Sequence, residues 1–122
     1  MTIRVGETGK RIYTITNFDM SANTSLEIKA IPPSGEQNQK TWTATLETGP
    51  LSSITLEDGT TYTTIAANKS MYYDLASTSD LDEAGTWTLV PVYYNSGASP
   101  ADIHIGDPAT LTVSDDNFDN AA

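Results

Sequence analysis

Residues 80–89, Asp-Leu-Asp-Glu-Ala-Gly-Thr-Trp-Thr-Leu, turn and then alternate. Asp80, Asp82 and Gly85 supply the turn: aspartate side chains bond nearby backbone amides, and glycine tolerates a left-handed backbone. From Thr86 onward, threonines alternate with Trp87 and Leu89, the period-two pattern of a strand with one buried face. That reading puts Trp87 in a core and makes residues 80–85 a sheet corner. The rest of the chain follows the same pattern. Threonine dominates the polar positions, β-branched and aromatic residues fill most apolar ones, and no window sustains the i, i+3, i+4, i+7 spacing of an amphipathic helix.

Strands are expected over residues 3–5, 11–16, 26–31, 40–46, 62–66, 71–75, 86–94, 102–105 and 110–113. The clearest is Thr41-Trp-Thr-Ala-Thr-Leu46, with Trp42, Ala44 and Leu46 on one face and three threonines on the other. Turn signals separate these runs at Gly6 and Gly9, Pro32-Pro-Ser-Gly35, Gly49-Pro50, Asn95-Ser-Gly97 and Gly106-Asp-Pro108. Asp58-Gly59, between Ile54-Thr-Leu56 and Thr61-Tyr62, predicts a hairpin. Pro91 interrupts what should be an interior strand. Since proline cannot donate to a ladder, a bulge or an edge position is expected there.

A chain of 122 residues without cysteine fits one domain whose core holds without disulfides. The expected division is a sandwich over residues 1–114 and an acidic arm over 115–122, which either packs on its own domain with Phe118 as anchor or is ordered by a neighbouring chain. No run approaches the roughly 18 apolar residues of a membrane span, so no membrane partner is expected. The net charge of −10 is uneven: residues 1–40 carry five basic against four acidic residues, whereas residues 41–122 carry Lys69 alone against twelve acidic ones. Counterion release from phosphates needs clustered lysine and arginine, which argues against nucleic acid. The acidic surface serves solubility, or it docks on a basic partner.

Catalytic and metal chemistry find little support. His104 is the only histidine, so a nucleophilic triad or a zinc site would have to be built around it. It alternates with two isoleucines in Asp102-Ile-His-Ile105 and is expected to face solvent. Asp80-x-Asp82-x-Ala84-Gly85 has the glycine of a calcium loop at the sixth position, but Ala84 offers no side-chain oxygen at the fifth and Pro91 stands at the twelfth. Asp115-x-Asn117-x-Asp119 lacks the glycine. No metal, cofactor or catalytic residue is therefore expected. Carboxylate pairs suited to glycoside hydrolysis are inevitable among sixteen acids and carry no specificity. Tyr72-Tyr73 and Tyr93-Tyr94 must each place one ring inward and one outward on a strand. Tyr72 and Tyr94, with Phe118 and Asp119 of the arm, are the candidate partner-interface residues, since aromatic side chains are enriched in interface cores.

The opening Ile-Arg-Val-Gly-Glu-Thr-Gly, the strand ending at Pro33-Ser-Gly35, Trp42-Thr-Ala-Thr-Leu46, Met71-Tyr-Tyr-Asp-Leu75, the Asp-x-Ala-Gly-x-Trp segment ending at Trp87, and Pro108-Ala-Thr-Leu-Thr-Val113 follow a familiar order. Over residues 2–113 this resembles the small immunoglobulin-like structural proteins of tailed bacteriophages, including the amino-terminal domain of baseplate upper proteins. The chain departs from immunoglobulin domains proper in lacking the disulfide between sheets. It also carries Thr86 where their corner has a tyrosine. The resemblance implies an immunoglobulin-like antiparallel β-sandwich and a non-enzymatic virion component that decorates the capsid or joins the neck, tail or fibre assembly. Its partners would be other virion proteins, or further copies of itself. A single domain without a fibre extension favours an accessory or decoration subunit. Residues 1–9 lack the apolar run of a signal peptide, so synthesis in the host cytoplasm and residence in the virion are expected. The alternative is a carbohydrate-binding or adhesin-type module, which would need Trp42 or the paired tyrosines exposed on a flat face.

Overall fold

Leu26, Ile28 and Ala30 alternate with Glu27, Lys29 and Ile31, and this parity turns one face of a strand inward. In the computed structural model, which describes residues 3–55 and 61–114, that strand lies near the middle of a six-stranded sheet. The strands in chain order are β1 (Ile3–Arg4), β2 (Arg11–Ile15), β3 (Ser25–Ile31), β4 (Lys40–Thr43), β5 (Thr45–Leu46), β6 (Leu51–Thr55), β7 (Thr61–Ile65), β8 (Ser70–Asp74), β9 (Gly85–Asn95), β10 (Asp102–Ile105) and β11 (Ala109–Ser114). Among the described residues there is no α-helix; Glu36–Asn38 form one short 3-10 turn.

The larger sheet runs β1-β11-β9-β3-β4, with β10 also paired to β9, and the second sheet runs β2-β8-β5. All pairs are antiparallel except β1 with β11. This is the strand order of an immunoglobulin-like sandwich: the chain crosses from sheet to sheet and its late strands return beside the first. The hairpin β6–β7 is an insertion between β5 and β8 and forms a sheet of its own. Asp58-Gly59 lies outside the described residues, while the strands either side of it pair as expected, Ile54 with Tyr62 and Thr55 with Thr61.

The core joins both sheets. Ile28, Trp42, Trp87 and Leu111 of the larger sheet pack with Ile12 and Met71 of the smaller. Trp42 stacks on Tyr73 of β8, ring centroids 4.8 Å apart and 15° from parallel. Each large apolar side chain so buried contributes about 1.5–3 kcal/mol. Trp87 is fully buried, as expected, and its indole N–H donates to the Glu83 carbonyl at 2.9 Å.

Three devices fix the corner before it. Leu81 is buried in the core. The Asp80 carboxylate accepts bonds from the backbone amides of Ala76 and Ser77 at 2.9 and 3.0 Å, and from the Tyr73 hydroxyl at 2.9 Å. Gly85 has φ +124°, and a Cβ there would sit 2.6 Å from Pro33 Cγ, so backbone and neighbour both demand glycine. The tyrosine that ties this corner comes from the preceding strand rather than from the start of β9.

Two expectations need correction. The strand over 40–46 breaks at Ala44, whose amide bonds the Leu26 carbonyl while the chain passes from the larger sheet to the smaller. Pro91 is neither at a bulge of β9 nor on an edge strand. It is fully buried and pairs with Ile28 in an unbroken register along β3. On the other side of β9, β11 pairs up to Leu89 and β10 resumes at Val92. The missing N–H of Pro91 faces that change of partner, so the bonds of β9 to β3 are untouched. Gly106, between the two strands, donates its amide to the Pro91 carbonyl at 2.9 Å. A Cβ on Gly106 would meet the Pro91 ring at 2.9 Å, which accounts for the glycine.

Candidate functional site

The outward face of the larger sheet divides in two. Toward β1 and β11 it carries Thr86, Thr110 and Thr112, all exposed. Toward the far end of β9 it turns apolar. Ile103 and Ile105 of β10 stand directly opposite Tyr94 and Val92, and Val90 and Ile31 continue the surface across β9 and β3. Ile103 is 60% exposed and Ile105 69%, the most exposed large apolar side chains among the described residues. A shallow depression of about 280 Å³ lies between them and the stem of Lys29.

A polar chain rims the depression. The Tyr94 hydroxyl donates to Glu27 at 2.7 Å, Lys29 lies 3.4 Å from the same carboxylate, and the Lys29 ammonium donates to Thr41 at 3.1 Å. The bond to Glu27, reinforced by burial, raises the Tyr94 pKa above the usual tyrosine value. The ring is thus held against the sheet with its face available to a partner.

Among the described residues β10 pairs only with β9. In an antiparallel ladder, successive residues direct their backbone groups to opposite sides. The Gly106 amide turns toward β9, so His104 and Asp102 do likewise, and Ile103 and Ile105 present their N–H and C=O groups to the open edge. Asp102 and Asp107 flank this edge, both exposed, and neither joins an ion pair among the described residues. His104 is exposed, but it shares the inward-facing side with Tyr93: its ring lies 5.3 Å from Phe18 and 5.5 Å from Tyr93. It therefore closes the end of the core, and the isoleucines hold the outer face.

Each tyrosine pair splits inward and outward as strand geometry requires. Tyr73 and Tyr93 point in, and Tyr72 and Tyr94 point out. The two outward tyrosines do not share a patch, because Tyr94 lies on the outer face of the larger sheet and Tyr72 on that of the smaller. Tyr72 packs 5.6 Å from Tyr13 under the Arg11 guanidinium, which lies 3.9 Å above its ring and forms a two-point bond with Asp74. That bond holds the Asp74 carboxyl below its ordinary pKa. Phe118 and Asp119 lie outside the described residues.

The sequence reading passed over Ile103 and Ile105. The signal for them was present in Val90-Pro-Val-Tyr-Tyr94, which is apolar at both parities. A strand apolar on both sides needs a cover on both. Of the acidic residues at the corner, Asp82 pairs with Lys40 at 3.2 Å and Glu83 accepts a bond from Ser34 at 2.7 Å. Among the described residues no group of three or more metal-ligating side chains converges, and no helix is long and apolar enough to cross a membrane. Both tryptophans are buried, Trp42 at 3% and Trp87 at 0% exposure. No family model matches the chain, and neither does any curated protein or solved structure.

Proposed function

We propose that this chain is a non-enzymatic structural subunit of a bacteriophage virion, a small docking domain that decorates the capsid or joins the neck, tail or fibre assembly. The observation that carries the docking role is the bare apolar surface of Ile103 and Ile105 beside an unpaired strand edge. An exposed apolar patch next to a sheet edge is a liability for a free domain and an asset for one that is covered in its working assembly. The virion assignment rests on the sequence resemblance described above. Participation of Asp74, Asp80, Asp82 and Glu83 in structural bonds supports a non-enzymatic role. Burial of both tryptophans removes the rings on which a sugar-binding face would most readily be built.

The test is occupancy. Particles purified from cells carrying this gene should contain the chain in fixed stoichiometry by mass spectrometry. A double variant Ile103→Asp, Ile105→Asp, folded by circular dichroism, should be lost from them. Particles without the chain, or with the variant at full occupancy, would count against the proposal.

A further inference from the structure

We infer that the open edge of β10 accepts an extended strand of another polypeptide, one with apolar residues at alternate positions and lysine or arginine between them. This rests on the docking role proposed above and specifies the partner's chemistry. The backbone supplies the first part of the argument. Ile103 and Ile105 offer two N–H and two C=O groups at an edge that no other described strand covers, and such a row is a template for strand addition.

Side-chain register supplies the second. Residues of an added strand directly opposite Ile103 and Ile105 would fall on the same outer face, with Cβ atoms about 4.5–5.5 Å away. Apolar side chains there would extend the surface already formed by Val92 and Tyr94. Residues of the opposite parity would emerge on the side of Asp102 and His104.

Charge selects among occupants. Asp102 stands at one end of the edge and Asp107 just beyond the other, both without a cationic partner among the described residues. The chain as a whole carries −10. A second copy would bring the same carboxylates against these. The chain's own segment 115–122 adds three more aspartates. A strand bearing cations is the occupant that relieves the repulsion instead of compounding it.

The experiment uses the full chain, isotopically labelled, and two synthetic peptides of about seven residues with period-two alternation: lysine with valine, and glutamate with valine. Two-dimensional NMR and amide exchange should show shifts centred on β10 with the lysine peptide. They should also show new protection of the Ile103 and Ile105 amides, and affinity at least about tenfold above that of the glutamate peptide. Ile105→Pro removes an N–H that faces the open edge and leaves the pairing to β9 intact, so it should abolish binding. As a second variant independent of backbone effects, Asp102→Lys with Asp107→Lys should reverse the peptide preference. Equal affinity for both peptides, no binding of either, shifts away from β10, or a dimer joined through the same amides would overturn strand addition. Full particle occupancy by Ile105→Pro would likewise overturn it while leaving the docking role standing. Absence of the chain from particles, with the peptide result intact, would remove the virion role and leave the edge site supported.

Discussion

Replacing Tyr73 by phenylalanine removes one oxygen from the corner that sets Trp87 into the core. The ring keeps its stack on Trp42 at 4.8 Å, so apolar packing is preserved. What is lost is the bond from the hydroxyl to Asp80, one of three donors on a single carboxylate oxygen. A hydrogen bond to a charged group contributes about 1.5–3 kcal/mol. Asp80 is only partly buried and keeps its two backbone amides, so the low end applies, about 1–1.5 kcal/mol. The same bond makes the clamp sensitive to pH. Burial, and then the bond to Asp80, raise the Tyr73 pKa from 10.0 to about 12. The folded chain thus holds this proton more tightly than the unfolded one. The associated stability is complete below pH 10 and is lost as pH rises through 12. A difference of that size corresponds to about 2.7 kcal/mol, which solvent screening at a partly exposed hydroxyl reduces to about 1–2 kcal/mol. Urea unfolding of both proteins from pH 7 to 12 would measure both effects. The stability gap should stand near its full value at neutral pH and close across the alkaline range. A phenylalanine variant as stable as the parent at pH 7, or a gap that stays constant to pH 12, would refute the clamp.

Trp87→Ala should cost about 3–5 kcal/mol in chemical denaturation, and a change near zero would contradict its place in the core. Gly85→Ala combines a left-handed backbone with a contact to Pro33 that must open. It should lose more than the about 1–3 kcal/mol expected from backbone strain alone, and a neutral effect on melting temperature would argue against the corner geometry. Removing residues 115–122 should leave the melting transition of the sandwich in place while lowering occupancy on particles. Unchanged occupancy would exclude the arm from docking.

The fold was legible wherever alternation was clean. β9 announced itself through Trp87 and Leu89, and the turn signals separated strands that the structure pairs. The hairpin predicted at Asp58-Gly59 reaches back only to Ile54, whereas the strand begins at Leu51. Leu51 and Ile54 are three apart, which breaks the period of two. In the structure Leu51 stands opposite Ile65 and Ile54 opposite Tyr62 in one constant register, so the two apolar side chains fall on opposite faces, with Ser53, at φ +54°, unpaired between them. The break at Ala44 was hidden for the opposite reason. Both sheets face one core, so Trp42, Ala44 and Leu46 keep the same parity while the chain changes sheets. Pro91 advertised a missing donor, but sequence does not reveal which neighbour a strand loses, and here it is a gap between two neighbours. The site was half legible. Tyr94 was found by parity, whereas Ile103 and Ile105 looked like core because exposed isoleucine is the exception that only an uncovered second face explains.

The exchange of partners along β9 also divides the sheet in time. β11 is held on both edges, by β9 and by β1, whereas among the described residues β10 is paired along one edge alone, at four register positions with β9. Local opening of β10 would break those pairs and leave the Trp87 corner shut. Its amides then belong to an opening of lower free energy than global unfolding. A strand that can leave without its neighbours is a seam, a place where the sheet can open while the rest of the sandwich stays folded.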